Sequence, residues 1–299
     1  MRSTPRSRSS PGGLGASAAS SAPVLRDRAR SALILVPPVL LAVAIGGPAI
    51  VALVALAAAI GAHETFRLLR QAGYGSLPWL GTALTVVLVL DLGLRGVPEG
   101  SALLLVAVGV ILAAVGAFTR PDPRDGLLTW MGTVFGALYV ALLGFVVRLG
   151  DVAPPLPPGV PLAALGAERG WILLLLLGVW SYDTGAYAVG KRFGRARFLT
   201  HISPSKTYAG VVGGTVASAL VTAALLWGLG EAPVMAMILG PLIAFTAQAG
   251  DLAESMLKRA AGAKDSGRLI PGHGGILDRV DSFLFAAPIV TLYVVAAYR

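Results

Sequence analysis

The stretch WILLLLLGVW, residues 171–180, is an unbroken apolar run. A strand of an outer-membrane barrel would alternate apolar and polar side chains, so a continuous apolar block favours a membrane helix. Apolar runs of about 20 residues, long enough to cross a hydrocarbon core of about 30 Å, recur from Leu33 to the end of the chain. The composition agrees, with 56% hydrophobic and 13% charged residues and a mean hydropathy of +0.77. We therefore predict an all-α, polytopic integral membrane protein.

The apolar runs predict about nine transmembrane helices and a topology. The helices are residues 32–46, 48–62, 78–94, 101–118, 127–148, 171–190, 208–228, 234–257 and 282–298. With the N-terminus in the cytosol, the cytosolic segments are the N-terminal tail and residues 63–77, 119–126, 191–207 and 258–281. These segments hold 20 of the 24 Lys and Arg residues, as the positive-inside rule requires. We expect a multi-pass protein of the plasma membrane.

Three regions follow from the pattern of composition. Residues 1–30 are rich in Ser, Pro, Gly and Arg and predict a disordered, basic cytosolic tail that is not cleaved. Residues 31–170 are N-terminal transmembrane helices, and residues 171–299 form a C-terminal membrane region with polar cytosolic loops. The chain has no cysteine, which excludes disulfides, thiolate metal sites and cysteine nucleophiles. The net charge of +9 fits membrane topology and anionic lipid, so we expect no nucleic acid partner.

One carboxylate lies inside a predicted membrane helix. Asp183 is about eight residues from the cytosolic end of its helix, where an unpaired charge would cost at least about 2.5 kcal/mol. It could form a structural salt bridge with Lys191 or Arg192. Gly185 and Gly190 beside it indicate close backbone approach instead, which favours the lining of a site.

A second helix carries a polar face. Asp251, Glu254, Ser255 and Lys258 fall at i, i+3, i+4 and i+7, so one face presents two carboxylates, a hydroxyl and an amine. This face must contact protein or water. A structural network from Asp251 to Lys258 is one alternative, and Glu254 alone could be the partner of Lys258.

The loop after that helix combines basic residues with glycines. Basic side chains precede the sequence PGHGG, whose glycines let main-chain N–H groups approach a ligand closely, and such a surface fits phosphates. An ordinary loop is the alternative. The basic residues are Lys258, Arg259, Lys264 and Arg268.

Two aspartates open the last helix. Asp278 and Asp281 share one face at i and i+3, with Arg279 turned away. Either could be an N-cap, but that role explains one aspartate and not both. Paired carboxylates near a phosphate-binding loop are the usual way to hold Mg²⁺.

A further candidate phosphate contact is HISPSKT, residues 201–207. Ser203 and Pro204 could be the cap and first turn of a helix, while Ser205, Lys206 and Thr207 supply donors for phosphate oxygens. Both uses are compatible. His201 and His273 more often stabilise loops than take part in catalysis.

These motifs together resemble a known signature. The pattern S-M-L-K-R-x4-K-D-S-G-x3-P-G-H-G-G-x2-D-R-x-D, residues 255–281, is similar to that of the phosphatidate cytidylyltransferases, also called CDP-diacylglycerol synthases. DTGAYAVGKRFG at 183–194, with ISPSKT and VVGG, resembles the second hallmark of that family. Ser205 and Ala209 depart from it, where the family commonly has a basic residue and a Glu. The resemblance covers residues 171–299 strongly.

The resemblance implies a cytosol-facing, Mg²⁺-dependent transfer of the cytidylyl group of CTP to phosphatidate in the bilayer, with a second cation and a homodimer left open. Residues 171–299 would then be the catalytic region. It implies catalytic residues at Asp251, Lys264, Asp265, Asp278 and Asp281, of which Asp251, Asp278 and Asp281 would bind metal. The implied substrate-binding residues are Asp183, Lys191, Arg192, Ser203, Ser205, Lys206, Thr207, Ser255, Lys258, Arg259, His273, Gly274, Gly275 and Arg279.

Two alternatives to this activity stay open. The first is another CTP-using cytidylyltransferase with a different lipid phosphate as acceptor. The second is an ion-coupled membrane transporter, because buried carboxylates in polytopic proteins often mark ion paths. A transporter predicts polar residues along a path through the whole membrane, whereas the outer halves of these helices are almost wholly apolar.

Overall fold

The computed structural model describes residues 36–94, 98, 100–269 and 274–298. The predicted tail at residues 1–30 and His273 lie outside the described residues. Apart from isolated bridge positions at Arg197, Thr207 and Gly274, the regular structure in these ranges is helical, which confirms the all-α prediction. The helices are α1 Val36–Ile45, α2 Pro48–Gln71, α3 Pro78–Gly93, α4 Ser101–Ala117, α5 Pro123–Ala141, α6 Phe145–Val152, α7 Gly166–Phe193, α8 Tyr208–Leu229, α9 Ala236–Ala260 and α10 Leu277–Tyr298.

Six spans in the described part of the chain are long and apolar enough to cross a membrane. They include α2, α8 and α10, the continuous span Pro123–Val152 made by α5 and α6, and the spans Ala163–Phe193 and Pro233–Ala260 that contain α7 and α9. The shorter apolar helices α1, α3 and α4 account for the other three predicted segments. The protein is therefore a multi-pass membrane protein.

The predicted end of the second helix is wrong. Hydropathy ends it at residue 62, but α2 continues to Gln71. The extension HETFRLLRQ consists largely of good helix formers, so the helix continues after its apolar run ends. It places Glu64 and Arg67 on a helix instead of a loop.

The run that predicted the fold lies at its centre. Trp171, Ile172, Leu174 and Leu175 of α7 are buried in the protein core. By contrast, α8 exposes Val212, Val216 and Leu220 at a spacing of four residues, as a lipid-facing helix surface does.

Close packing of α7 on α8 depends on glycines. A Cβ on Gly185 would lie 2.9 Å from the carbonyl oxygen of Gly213, and one on Gly190 would lie 3.4 Å from the Cα of Gly210. This confirms the close backbone approach expected near Asp183. The helix pair is held as small residues hold membrane helices.

Contacts between connecting segments group them at two ends of the bundle. At one end, Arg259 donates to the carbonyl of Ile202 (3.3 Å) and Arg67 donates to the carbonyl of Ser266. At the other end, the amide of Gly47 donates to Glu168 (2.7 Å) and that of Leu162 to the carbonyl of Gly228 (2.9 Å). This grouping is the one that the predicted alternation of loops requires.

Candidate active site

Three carboxylates from three helices interact with one another at the end of the bundle that carries Arg259 and Ser266. Asp183 of α7 interacts electrostatically with Asp251 of α9, and Asp281 of α10 interacts with both. Lys206 forms a salt bridge with Asp251 and also attracts Asp183. The structure therefore joins residues 183–206 with residues 251–281 in one acidic cluster, in which Lys206 partly offsets the repulsion between the carboxylates.

Lys258 connects α9 to α10. Its Nζ donates to Glu254 one turn earlier on α9 and to Asp278 on α10, the latter at 2.6 Å. Glu254 is fully buried, and the expectation that it pairs with Lys258 is confirmed. Asp251 pairs with Lys206 and not within a network to Lys258.

Asp278 is the centre of a hydrogen-bonded turn. Its Oδ1 accepts from Lys258, while its Oδ2 accepts from the amide and hydroxyl of Ser266 (both 2.8 Å) and from the amide of Gly275 (2.7 Å). Gly274 has a φ of +80°, and a Cβ there would collide with the same carboxylate. Asp278 thus binds the two described sides of the glycine-rich loop to the start of α10.

The segment of residues 201–207 differs from its prediction in one respect. The predicted cap at Ser203 is wrong, because α8 begins at Tyr208 and Thr207 is its N-cap, accepting from the amide of Gly210 at 3.1 Å. Ser203 lies in the preceding turn, where its amide donates to the carbonyl of Leu199 (2.9 Å).

The predicted orientation of Arg279 is also wrong. Arg279 lines the same cavity as Asp278 and Asp281 and interacts electrostatically with Asp183. The side chain of arginine is long enough to reach round the helix from the neighbouring position.

The remaining predicted residues are placed as follows. Lys191 is exposed and lies over the ring of Tyr187, 5.7 Å from its centroid. Arg192 is also exposed and lies over the ring of Phe193, 5.6 Å from its centroid. The alternative of a salt bridge from either residue to Asp183 is therefore not the arrangement seen. Arg259 is tied to main-chain carbonyls at both Ile202 and Ala263. Ser205 is exposed and Ser255 is buried in α9.

A cavity of about 870 Å³ connects the polar cluster to apolar helices. Its apolar wall comes from α1, α2, α6 and α7, and its polar end comes from α9, α10 and the loop between them. The apolar wall includes Val39, Val43, Val54, Val146, Ile172, Leu176 and Trp180, and the polar end includes Asp251, Lys258, Lys264, Asp265, Asp278, Arg279 and Asp281. The cavity therefore suits a molecule with a charged head and apolar chains.

The acidic cluster has the donor chemistry for Mg²⁺, which binds one or two protein carboxylates and completes its shell with water and substrate phosphates. Asp251 and Asp281 line the cavity together and repel each other, a repulsion that a cation would relieve. Both oxygens of Asp278 already accept hydrogen bonds. Among the described residues, no group of three His, Asp or Glu side chains is arranged to hold a metal ion.

Sequence reasoning missed Glu64, on the extension of α2. Its carboxylate is buried and accepts hydrogen bonds from Ser266 and from the amides of Ile276 and Leu277. A lone Glu directly after an apolar run was the available signal, but the expected loop at 63–77 concealed it. The site therefore draws on both halves of the chain.

A helical membrane bundle with carboxylates and amines at the polar end of an apolar cavity defines a membrane protein that handles an amphipathic, anionic ligand. Comparison with known proteins makes this specific: the chain belongs to the Cytidylyltransferase family, whose model matches residues 26–297. It is thus a nucleotidyltransferase of the membrane.

Relatives named phosphatidate cytidylyltransferase match most of the chain. The protein of Synechocystis sp. is 36% identical over 272 residues, which cover 84% of this chain and 90% of the relative. The protein of Mycobacterium bovis is 35% identical, covering 83% of this chain and 81% of the relative. The chloroplastic phosphatidate cytidylyltransferase 5 of Arabidopsis thaliana is 37% identical, covering 83% and 66% respectively. The match extends well beyond residues 171–299, where the sequence motifs lie.

Proposed function

We propose that this chain transfers the cytidylyl group of CTP to phosphatidate, giving CDP-diacylglycerol and pyrophosphate for phospholipid synthesis. The observation that carries the proposal is the cavity of about 870 Å³, in which an apolar wall from α1, α2, α6 and α7 meets a polar end with charges of both signs. Phosphatidate has the same division into acyl chains and a phosphate. The family membership and the names of the relatives supply the nucleotide and the acceptor.

The basic residues of the cavity bring two anions together. Lys258, Lys264 and Arg279 line its polar end, and Lys206 lies at the edge of the acidic cluster. Positive charge there neutralises the phosphates of CTP and phosphatidate and holds the acceptor oxygen in line with the leaving pyrophosphate. The phosphate monoester of phosphatidate, whose second pKa is about 6, is largely anionic near neutral pH, so the attack needs no strong general base. No covalent intermediate with the protein is required.

Asp251 and Asp281, with Asp183 beside them, would hold Mg²⁺. When bound, the cation would neutralise charge on the transferring phosphate and on the leaving pyrophosphate. Asp278 contributes by keeping Lys258 and the Ser266 turn in place, which is supported by its four hydrogen bonds. The metal assignment made for Asp278 from the sequence stays a prediction.

The orientation that we propose places this end of the bundle in the cytosol, where CTP is available, and the protein in the plasma membrane. The support is the charge bias, because the connecting segments at the same end carry the excess of Lys and Arg. The homodimer stays a prediction that the mass of the purified protein would test.

The ion-coupled transporter is the weaker candidate, since the polar residues of the cavity gather at its α9–α10 end.

An enzyme assay distinguishes phosphatidate from a different lipid-phosphate acceptor. Purified protein is incubated with CTP, Mg²⁺ and each of a panel of lipid phosphates, and released pyrophosphate is measured. We expect release with CTP and phosphatidate, none with ATP in place of CTP, and none in excess chelator. Equal release with a different lipid phosphate, or none with phosphatidate, would contradict the proposal.

A further inference from the structure

Glu64 is a buried carboxylate of the N-terminal half that binds the loop of the C-terminal half. Its Oε2 accepts from the Ser266 hydroxyl (3.0 Å) and from the amide of Leu277 (2.8 Å), and its Oε1 accepts from the amide of Ile276 (3.2 Å). The side chain therefore touches the start of the loop and its end, which are ten residues apart in the sequence. These are contacts across more than 200 residues of chain.

The loop is shaped to receive this carboxylate. Cβ atoms added at Gly267 and at Gly275 would both collide with the carboxylate oxygens of Glu64. Both residues are buried, and neither has a positive φ, so the space occupied by Glu64 explains why side chains are absent there. Arg67, three residues further along α2, donates to the carbonyl of Ser266 and adds a second contact from the same helix.

Two of the groups that donate to Glu64 also lie at the start of a helix. The amides of Ile276 and Leu277 belong to the unpaired donors at the N-terminus of α10, which begins at Leu277. A carboxylate at this position satisfies them and complements the positive end of the helix dipole. Glu64 is thus an N-cap for α10 supplied by a different helix.

We infer that Glu64 is a positioning residue for the transfer: it fixes the first turn of α10 and the Ser266 segment so that Asp278, Arg279 and Asp281 face the polar end of the cavity. This rests on the proposed function for its catalytic consequence but not for its structural one. Ser266 has one hydroxyl proton to share between Glu64 and Asp278 (3.0 and 2.8 Å), so the two carboxylates hold the same residue from opposite sides.

Glutamine is about the same size as glutamate, but it cannot accept all the hydrogen bonds that Glu64 accepts. Both oxygens of the carboxylate accept, so either orientation of a glutamine amide would point N–H groups at a main-chain or hydroxyl donor. Hydrogen bonds to a charged acceptor contribute more to stability than hydrogen bonds between neutral groups. We expect Glu64→Gln to release the loop while α2 stays folded.

Because the chain has no cysteine, the loop can be probed directly. Leu269 is 59% exposed and lies within the loop, so Leu269→Cys reports its mobility. With the purified full-length chain in detergent, we expect Glu64→Gln to raise the rate of labelling at this cysteine by on the order of 10-fold, as local opening becomes easier. Labelling of Arg197→Cys, on the neighbouring segment, should not change.

Glu168→Gln is the matched control, since Glu168 is also a carboxylate that accepts a main-chain amide from a distant segment, that of Gly47 at the opposite end of the bundle. It should leave the labelling at Leu269→Cys unchanged. If Glu64→Gln cannot be purified as a monodisperse protein, Gly275→Ala approaches the same carboxylate from the loop side and should raise the labelling likewise.

Kinetics separate positioning from a loss of stability. Glu64→Gln should lower kcat for cytidylyl transfer by on the order of 10-fold or more, because small misplacements of reacting groups are costly, while KM for phosphatidate stays near its original value. Unchanged labelling in Glu64→Gln or, where that variant is not obtained, in Gly275→Ala would overturn the inference. If Glu64→Gln is labelled faster but the wild-type chain does not transfer cytidylyl groups, the inference about the loop is retained and the proposed function is rejected.

Discussion

At the scale of single residues, the carboxylates of the site divide by the partners of their oxygens. Asp251 and Asp281 face the cavity and repel each other. Asp278 and Glu64 accept hydrogen bonds from the loop, and Asp278 also accepts one from Lys258. Glu254 is buried, with one oxygen accepting from Lys258 and the other without a hydrogen-bond partner among the described residues. Residues of the same charge therefore have different expected responses to neutral, isosteric substitution.

Asp281→Asn should lower turnover by about 10² to 10³-fold, equivalent to about 3 to 4 kcal/mol of lost transition-state stabilisation, and should raise the Mg²⁺ concentration needed for half-maximal rate. For Asp278→Asn, the metal assignment predicts the same change in Mg²⁺ dependence, whereas a role confined to binding Lys258 and Ser266 predicts lower turnover with the Mg²⁺ dependence unchanged. The measurement is pyrophosphate release against Mg²⁺ concentration. An Asp281→Asn protein with normal turnover would reject the assignment.

Glu254→Gln should keep most of the activity. A glutamine carbonyl still accepts from Lys258, and its amide takes the place of the oxygen that has no partner. The same pyrophosphate assay checks this, with wild-type protein as reference. A loss as large as that of Asp281→Asn would show that the charge of Glu254 takes part in the reaction.

At the scale of elements, the pairing of α7 with α8 decides where Asp183 sits. Gly185 of α7 approaches the main chain of Gly213 and Gly214 closely enough that a side chain would have to displace a helix. Membrane helices associate largely through this kind of packing, because lipid supplies little hydrophobic drive between them.

Gly185→Val should lower the stability of the helix pair by about 1 to 3 kcal/mol, the usual cost of overpacking. The measurement is the midpoint of thermal unfolding in detergent. Val216→Leu, which enlarges a 54% exposed side chain of α8, is the control and should change the midpoint little. Equal midpoints for the two variants would mean that α7 and α8 can move apart to admit the valine side chain with no loss of stability.

Most elements could be predicted from the sequence, because apolar runs such as residues 171–180 are dictated by lipid. The end of α2 could not, since hydropathy stops at residue 62 while helix formers continue to Gln71. At the site, the pairing of Lys258 with Glu254 is local and was predictable. The contact of Lys206 with Asp251 and that of Glu64 with Leu277 join distant segments, which a single sequence does not bring together.

At the scale of the whole molecule, the two groups of connecting segments define which cysteines share a side of the membrane. Ser266 is fully buried and unsuited to labelling, whereas Leu269 and Arg197 are exposed. We expect Leu269→Cys and Arg197→Cys to resist an impermeant reagent added outside intact cells, and Pro158→Cys, exposed at the opposite end, to react. The reverse pattern would invert the proposed orientation.

The contact between Glu64 and Leu277 has a consequence for biosynthesis. The two residues are 213 positions apart, and at about 5 to 20 residues per second the ribosome needs roughly 10 to 40 s to make the second after the first. During that time the carboxylate at the end of α2 has no α10 to bind, and it must stay hydrated at the membrane surface. The hydrogen bonding of Glu64 on α2 is therefore completed only when the start of α10 has been made, and until then its carboxylate lacks these main-chain donors.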